Sequence, residues 1–402
     1  MRNICGDRFS EWYRIKESAY LFVLWIGKKT KFYMEWSNQQ EKALRDVSRW
    51  ISNRDAQVFR LFGFAGTGKT TLARHLAEGV DGDVLFGAFT GKAAHVLRQK
   101  GCDGASTLHS LIYRPAGNSE DDEEDGEQPL FAIRRDAPAS EADLIIIDEC
   151  SMVDEELGED LLSFRVPVLV LGDPAQLPPV KGGGFFTEHE PDIMLTDVHR
   201  QAEDNPIIRL SMDVREGRGI SHGQYGDSSV ISRHDINAET ILETNQVLVG
   251  MNKTRRNYNN RIRELHGYKD WRPAAGEKLV CLRNDKKKGL LNGGTWSVSN
   301  TKSPRKGMLR LDVEPEDEIL AKKVGVSVAP EFFQGTYERL PYAKRRRSDE
   351  FDYGYALTVH KSQGSQWDDV VLFDESGAFR EHKDRWLYTG ITRAAEKITI
   401  VR

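Results

Sequence analysis

Eight consecutive residues, Gly63-Phe64-Ala65-Gly66-Thr67-Gly68-Lys69-Thr70, carry the strongest chemical signal in the chain. They follow a short apolar run, 58–62, and open a helical pattern over Lys69–Glu78 that Gly79 closes. Glycines let a backbone curl until successive N–H groups converge on phosphate oxygens, and a helix N-terminus adds positive potential. The spacing G-x-x-x-x-G-K-[ST] between a strand and a helix therefore predicts a nucleoside-triphosphate site. Gly63, Ala65, Gly66, Thr67, Gly68 and Thr71 form the cradle. Lys69 is placed to reach the β- and γ-phosphates, and Thr70 to offer its hydroxyl to Mg²⁺.

A second constellation lies about 80 residues on, where Leu144-Ile145-Ile146-Ile147 runs into Asp148-Glu149. An apolar strand that ends in two adjacent carboxylates delivers them to a sheet edge. Taken alone, such a pair reads equally well as two solvated caps. Beside the Lys69 loop, Asp148 becomes a candidate for holding Mg²⁺ through water, and Glu149 for orienting and deprotonating an attacking water. Adjacent carboxylates suit hydrolysis by a motor better than transfer to a small acceptor.

The elements that must position these residues are those of an α/β protein. Its 402 residues, 39% hydrophobic and 30% charged, suit two or three globular domains at about 150 residues each. Gln39–Trp50 has helical apolar spacing, with Ser37 or Asn38 as N-cap. Strand-like runs recur at Val84–Phe89, Leu144–Ile147, Val168–Leu171, Gln246–Val249, Val370–Phe373 and Ile398–Val401. Apolar runs alternating with helices predict parallel sheets covered on both faces, with functional loops at the carboxyl ends of the strands. Two stretches break the alternation. Residues of about 113–141 read as a surface insertion, and residues of about 275–349, rich in Gly, Lys and β-formers, as a small antiparallel module.

The net charge of −5 has a local origin. Glu120 to Glu127 include seven carboxylates, and without them the sum is −5 + 7 = +2, so a nucleic-acid partner is not excluded. Lys286–Lys288 and Lys344–Arg347 concentrate positive charge, either as phosphate contacts or as solvated loop charge. Cys5, Cys102, Cys150 and Cys281 are scattered with no CxxC, which argues against a cysteine zinc site and a disulfide framework and makes reduced cytosolic thiols the default. The apolar run 19–27 is far short of the roughly 20 residues that span a bilayer. Residues 1–33 read as an extension outside the fold, which opens naturally at Met34.

The order of these motifs resembles the superfamily 1 helicases of the B group, typified by RecD and the phage Dda helicase, from about Trp36 to the C-terminus. Gln40, with Gln39 as the alternative, matches the adenine-reading glutamine. Phe89-Thr90-Gly91-Lys92-Ala93-Ala94 and Thr107-Leu108-His109-Ser110 match two strand-binding motifs. Gly172-Asp173-Pro174-Ala175-Gln176 and the prolines after it match the third motif, in which Gln176 senses the γ-phosphate. Leu195–Gln201 matches the fourth and Tyr388–Ala394 the sixth, and these assign Arg200 and Arg393 as arginine fingers. Ala356–Gly364 matches the fifth, placing Thr358, His360 and Ser362 on phosphates of the strand and Gly364 beside the nucleotide. Asn252 and Asn259 also match, as strand contacts or as helix caps.

The resemblance implies two RecA-like P-loop NTPase domains with parallel sheets. Domain 1 spans 34–190 with a hairpin insertion at about 113–141; domain 2 spans 191–402 with an SH3-like β insertion at about 275–349. It further implies an ATP- and Mg²⁺-dependent DNA helicase in the cytoplasm of a bacterial or phage-infected cell. The motor would travel 5′-to-3′ on single-stranded DNA, open forked or tailed duplexes, work with repair or replication proteins and need no membrane. Thr90, Lys92, Thr107, His109, Thr358, His360 and Ser362 are then its strand contacts. A hairpin in the first insertion would split the duplex, although seven carboxylates there repel phosphates; Leu130-Phe131-Ala132-Ile133 could supply the wedge with the acidic tip pointing away, and the resemblance carries over the location but not the residues. A DNA-stimulated motor subunit of an exonuclease V-like complex, unable to unwind alone, is the other reading. A small-molecule kinase is the distant third.

Overall fold

A computed structural model describes residues 36–115, 131–178, 184–198, 204–285, 288–316 and 323–402. The expected extension over 1–33, the seven-carboxylate run, Leu130, Pro179, Val180, Arg200 and Lys286–Lys287 lie outside the described residues.

The first lobe begins with α1 (Asn38–Asn53), opened by a capping box in which the Ser37 hydroxyl accepts from the Gln40 N–H and the Gln40 side chain accepts from the Ser37 N–H. There follow β1 (Val58–Gly63), α2 (Lys69–Glu78), β2 (Val84–Ala88), α3 (Gly91–Gln99), β3 (Ser106–Thr107) and α4 (Leu108–Ile112). A two-stranded antiparallel hairpin pairs β4 (Tyr113–Pro115) with β5 (Phe131–Ile133), in the region read as an insertion. Then come α5 (Pro138–Glu141), β6 (Leu144–Asp148), α6 (Glu155–Leu162), β7 (Val168–Gly172) and β8 (Ile193–Leu195). The strands form one parallel sheet in the order β3-β2-β6-β7-β1-β8. β6 shows why its sequence is unbroken Leu-Ile-Ile-Ile: Leu144 and Ile146 enter the core under α1 and α2, while Ile145 and Ile147 enter the core on the opposite face. The first sheet extends to Leu195, past the expected boundary at 190, because Ile193–Leu195 pairs with the exposed side of β1.

The second lobe carries α7 (Pro206–Arg215), β9 (Gly223–Tyr225), β10 (Ser228–Ile231), α8 (Ala238–Glu243), β11 (Gln246–Val249) and α9 (Asn252–Leu265). The chain then leaves for an antiparallel module made of β12 (Lys278–Cys281), β13 (Thr295–Arg305), β14 (Met308–Pro315) and β15 (Val324–Val328). Two short helices, α10 (Pro330–Gln334) and α11 (Tyr342–Arg346), lead to β16 (Phe351–Tyr353), which closes the module in the order β15-β14-β13-β12-β16. It returns through β17 (Ala356–Thr358), β18 (Trp367–Phe373), α12 (Lys383–Ile391) and β19 (Ala394–Val401). The second sheet runs β17-β11-β18-β19-β10-β9, parallel except where β9 turns back on β10. The module has its own core, with Trp296, Phe332 and Phe351 at its centre. No helix of the described residues is long and apolar enough to cross a membrane.

A buried ion pair joins the module to the second lobe. Arg263, on α9, donates to both carboxylate oxygens of Glu277 at 2.5 and 3.1 Å and to the carbonyls of Asp270 and Arg272. Glu277 is fully buried and also accepts from the Ala274 N–H. Removing one partner of such a pair leaves a charge stranded in low dielectric, at a cost of about 3–5 kcal/mol. Glu277→Ala is accordingly expected to lower the stability of the second lobe by that amount, read as the urea midpoint at unchanged slope. A change below about 1 kcal/mol would show that Arg263 finds solvent without its partner.

Candidate functional site

The Lys69 loop takes the shape its glycines predict. Gly66 and Gly68 both have φ of +80°, in the left-handed region that side-chain-bearing residues rarely adopt. A Cβ on Gly68 would also lie 2.8 Å from the Gln40 amide nitrogen. That amide donates to the Thr67 carbonyl at 3.0 Å, so Gln40, 3% exposed, fastens α1 to the loop. Gln39 instead accepts from the Thr196 and Asp197 N–H groups beyond β8. Lys69 Nζ lies across the loop, donating to Gly63 O at 2.6 Å and Phe64 O at 3.0 Å. Thr71 is exposed on the first turn of α2.

The adjacent strands bring acids to the same place. The Thr70 hydroxyl donates to Asp148 Oδ2 at 2.9 Å, which joins the loop to the end of β6. These two oxygen ligands suit a hard cation that keeps waters and phosphate oxygens for its remaining positions. Among the described residues no group of three or more His, Cys, Asp or Glu side chains is placed to hold a metal ion. Glu149 sits at φ 54° and ψ 45°, a left-handed conformation for a residue with a long side chain. Burial pushes its carboxyl above the ordinary range, the Arg393 guanidinium pulls it back, and Asp148 adds to the rise. Asp173, at the turn after β7, is likewise raised by burial and lowered by Lys69 and by a hydrogen bond from Tyr388.

The second lobe closes the site. Arg393 is 5% exposed and held by the carbonyls of Thr389 and Ser365. Its guanidinium lies 4.0 Å from the Glu149 carboxylate, across the boundary between lobes. Gln176 is buried and its amide oxygen has no hydrogen-bond partner. An unsatisfied buried amide of this kind fits a polar ligand entering the cleft. The flanking Leu177 is tied to the second lobe twice: its N–H donates to Thr389 Oγ1 at 2.9 Å and its carbonyl accepts from Gln363 Nε2 at 2.9 Å. Arg215, at the end of α7, lies 3.6 Å over the Phe64 ring.

The expected strand contacts divide by environment. The Thr90 hydroxyl caps α3 by accepting from the Ala93 N–H, and the Thr107 hydroxyl caps α4 by accepting from the Ser110 N–H. Both stand at the carboxyl edge of neighbouring strands, since Ala88 of β2 is in register with Thr107. Lys92 is buried on the first turn of α3. His109 packs between the Phe89 and Tyr113 rings, and burial lowers its pKa. In the second lobe Thr358 is buried at the end of β17, its hydroxyl accepting from the Lys361 N–H. His360 packs against Phe379 with the rings tilted by 42°, and its pKa is lowered by burial and by nearby His382. Ser362 differs from the expectation: it is fully buried and its hydroxyl donates to the Val359 carbonyl, within its own turn.

Gly364, expected beside the nucleotide, is packed on α3 of the first lobe. A Cβ there would fall 2.8 Å from Ala93 Cβ and 3.2 Å from Thr90 Oγ1. Asn259 is structural: its buried amide pairs with both the N–H and the carbonyl of Ala356. Asn252 opens α9 in an exposed position. The antiparallel module also reaches the first lobe, where a side chain on Gly91 would meet Leu291 at 2.9 Å and Asn284 at 3.1 Å. Sequence reasoning gave no role to Tyr388, whose hydroxyl bridges the lobes, or to Gln363 and Thr389. Tyr388 stands five residues before Arg393 in the same motif, which was the only signal for it.

Comparison with known proteins agrees with this arrangement. A family model described as an AAA domain matches residues 35–235, half of the chain, and one described as a UvrD-like helicase C-terminal domain matches 353–401. The ATP-dependent RecD2 DNA helicase of Deinococcus radiodurans is 30% identical over 371 residues, covering 84% of this chain and 46% of that protein. The ATP-dependent DNA helicase Pif1 of Bdellovibrio bacteriovorus is 25% identical over 392 residues, covering 84% of this chain and 81% of that one. Among solved structures, the Pif1 helicase from Bacteroides in complex with ADP-AlF3 and single-stranded DNA superposes with a TM-score of 0.55 at 17% identity, covering 91% of this chain and 92% of that one. Pif1 helicase from Candida albicans gives 0.53 at 18% identity, covering 92% and 94%. These superpositions show the two-lobed fold. The chain spans less than half the length of the RecD2 relative.

Proposed function

The chain belongs to the superfamily 1 helicases of the RecD2 and Pif1 kind, within the AAA-domain family whose model covers half of it, and from that premise we propose that it is an ATP-driven motor that tracks along single-stranded DNA and opens forked or tailed duplexes. One observation carries the reading: Arg393 of the second lobe lies 4.0 Å from Glu149 of the first, beside the Lys69 loop. A nucleotide bound between them would be cradled by the loop amides and Lys69, with Glu149 drawing a proton from the attacking water. Arg393 would swing from the carboxylate to the phosphoryl group as negative charge builds there. Thr70 and Asp148 would hold Mg²⁺, which supplies charge neutralisation on the phosphate oxygens. Gln40, fastened to the Thr67 carbonyl, or Gln39, bonded to the chain beyond β8, would meet the base, and Gln176 the γ-phosphate.

Each lobe would grip the strand at its own carboxyl edge, through Thr90, Lys92, Thr107 and His109 on one and Thr358 and His360 on the other. Ser362 and Gly364 then act by shaping the turn and its contact with α3. Contacts to phosphate make binding sequence-tolerant and salt-sensitive. The resemblance to the B group supports 5′-to-3′ travel and a role in replication, recombination or repair.

ATP hydrolysis measured with and without single-stranded DNA tests the motor, because a motor is stimulated and a small-molecule kinase is not. Strand displacement on forked duplexes with 5′ or 3′ tails tests unwinding and polarity. Opening of the fork only when further proteins are added would identify a motor subunit instead. Arg393→Ala is expected to lower DNA-stimulated kcat by about 10²-fold with KM for ATP changed less than about threefold, as for loss of one preorganised donor to the transition state. A large rise in KM at unchanged kcat would place Arg393 in ground-state binding only.

A further inference from the structure

The Tyr388 side chain, 1% exposed, rises from α12 of the second lobe into the first. Its hydroxyl accepts from the Ala65 N–H at 2.9 Å and donates to Asp173 Oδ2 at 2.7 Å. Asp173 completes its own set by accepting from the Ala175 N–H at 3.0 Å. One oxygen of the second lobe thus holds both a backbone donor of the phosphate loop and the acid at the turn after β7. The residues that follow it continue the same grip, since Thr389 takes the Leu177 N–H and Arg393 faces Glu149.

An amide N–H points well at one acceptor at a time. Ala65 lies within the run of amides that a phosphate-binding loop turns toward its anion, next to the carbonyls of Gly63 and Phe64 that Lys69 spans. Its N–H is here directed across the cleft at a phenol. We infer that Tyr388 is a positioning residue through which the second lobe senses the γ-phosphate: the phosphate and the phenol oxygen compete for the Ala65 N–H. This inference rests on the ATP-site reading above. When a triphosphate takes that N–H, the hydroxyl keeps only Asp173, and the α12 turn that carries Thr389 and Arg393 is released to move. A diphosphate is one phosphoryl group shorter. The contact lies at the hydrolytic end, marked by Glu149 and Arg393, so ADP leaves the phenol in place.

Tyr388→Phe keeps the buried ring and removes only the competing oxygen. Binding of Mg·ADP and of the Mg complex of the non-hydrolysable β,γ-imido analogue of ATP is measured calorimetrically on the full chain without DNA. The substitution is expected to tighten the imido analogue by about 3- to 10-fold, the worth of one neutral hydrogen bond, while ADP shifts by less than about twofold. A merely structural tyrosine would move both nucleotides together. Equal shifts, no shift, or weaker imido binding would overturn the inference, whereas absence of any nucleotide binding by the wild-type chain would overturn the ATP-site reading with it. If the variant does not fold, hydrogen exchange on the wild-type chain decides: exchange in residues 385–391 rises with the imido analogue and not with ADP, and an equal response to both refutes the competition.

Discussion

Lys69→Ala is expected to abolish ATP hydrolysis, lowering kcat/KM by more than about 10³-fold with and without DNA. The argument starts from geometry. Lys69 Nζ donates to two of the loop's own carbonyls, which fixes its charge at the loop. A preorganised cation needs no reorganisation as the phosphoryl group gains charge, and a single such donor is worth about 10²–10³ in rate. The same charge favours ground-state binding, so KM rises as kcat falls. Folding should be preserved, because the surrounding loop is held independently by Gln40 on Thr67 and by Thr70 on Asp148. Phosphate release at the wild-type rate would remove the loop from the mechanism.

Glu149→Gln is expected to separate binding from turnover. The amide has the carboxylate's shape and lacks its proton affinity, and a positioned general base contributes about 10²–10⁴-fold. ATP should bind at least as tightly as to the wild-type chain, since burial raises the carboxyl pKa and two further acids, Asp148 and Asp173, crowd it. Loss of that negative charge also frees Arg393 from its 4.0 Å contact, so the nucleotide should be held longer between the lobes. Single-turnover hydrolysis reads the effect directly. A wild-type rate would show that another group activates the water.

Local chemistry was legible from the sequence wherever one segment determined it. The loop from Gly63 to Thr70, the strand ending in Asp148-Glu149 and the Ser37 cap follow from residue type and spacing alone. The runs at 84–89, 144–147, 168–171 and 246–249 became strands because unbroken apolar stretches suit sheets buried on both faces. Short pieces escaped notice. β8 is three residues long and is specified by a vacant edge on β1 rather than by its own pattern. The contacts between lobes were not legible either. Nothing near Gly364 in sequence reveals that Ala93 lies against it, and Tyr388 is an ordinary core aromatic until Ala65 and Asp173 are brought to it. Ser362 illustrates the converse: a hydroxyl in a strand-binding pattern is used by its own turn.

The backbone at Glu149 has one more consequence. A left-handed conformation costs a side-chain-bearing residue roughly 1–2 kcal/mol relative to glycine, which adopts it freely. The position thus favours the very residue that has no carboxylate to offer. With Glu149 as the proposed base, robustness and speed are opposed at a single site, and drift toward a sturdier protein would arrive there at an idle one.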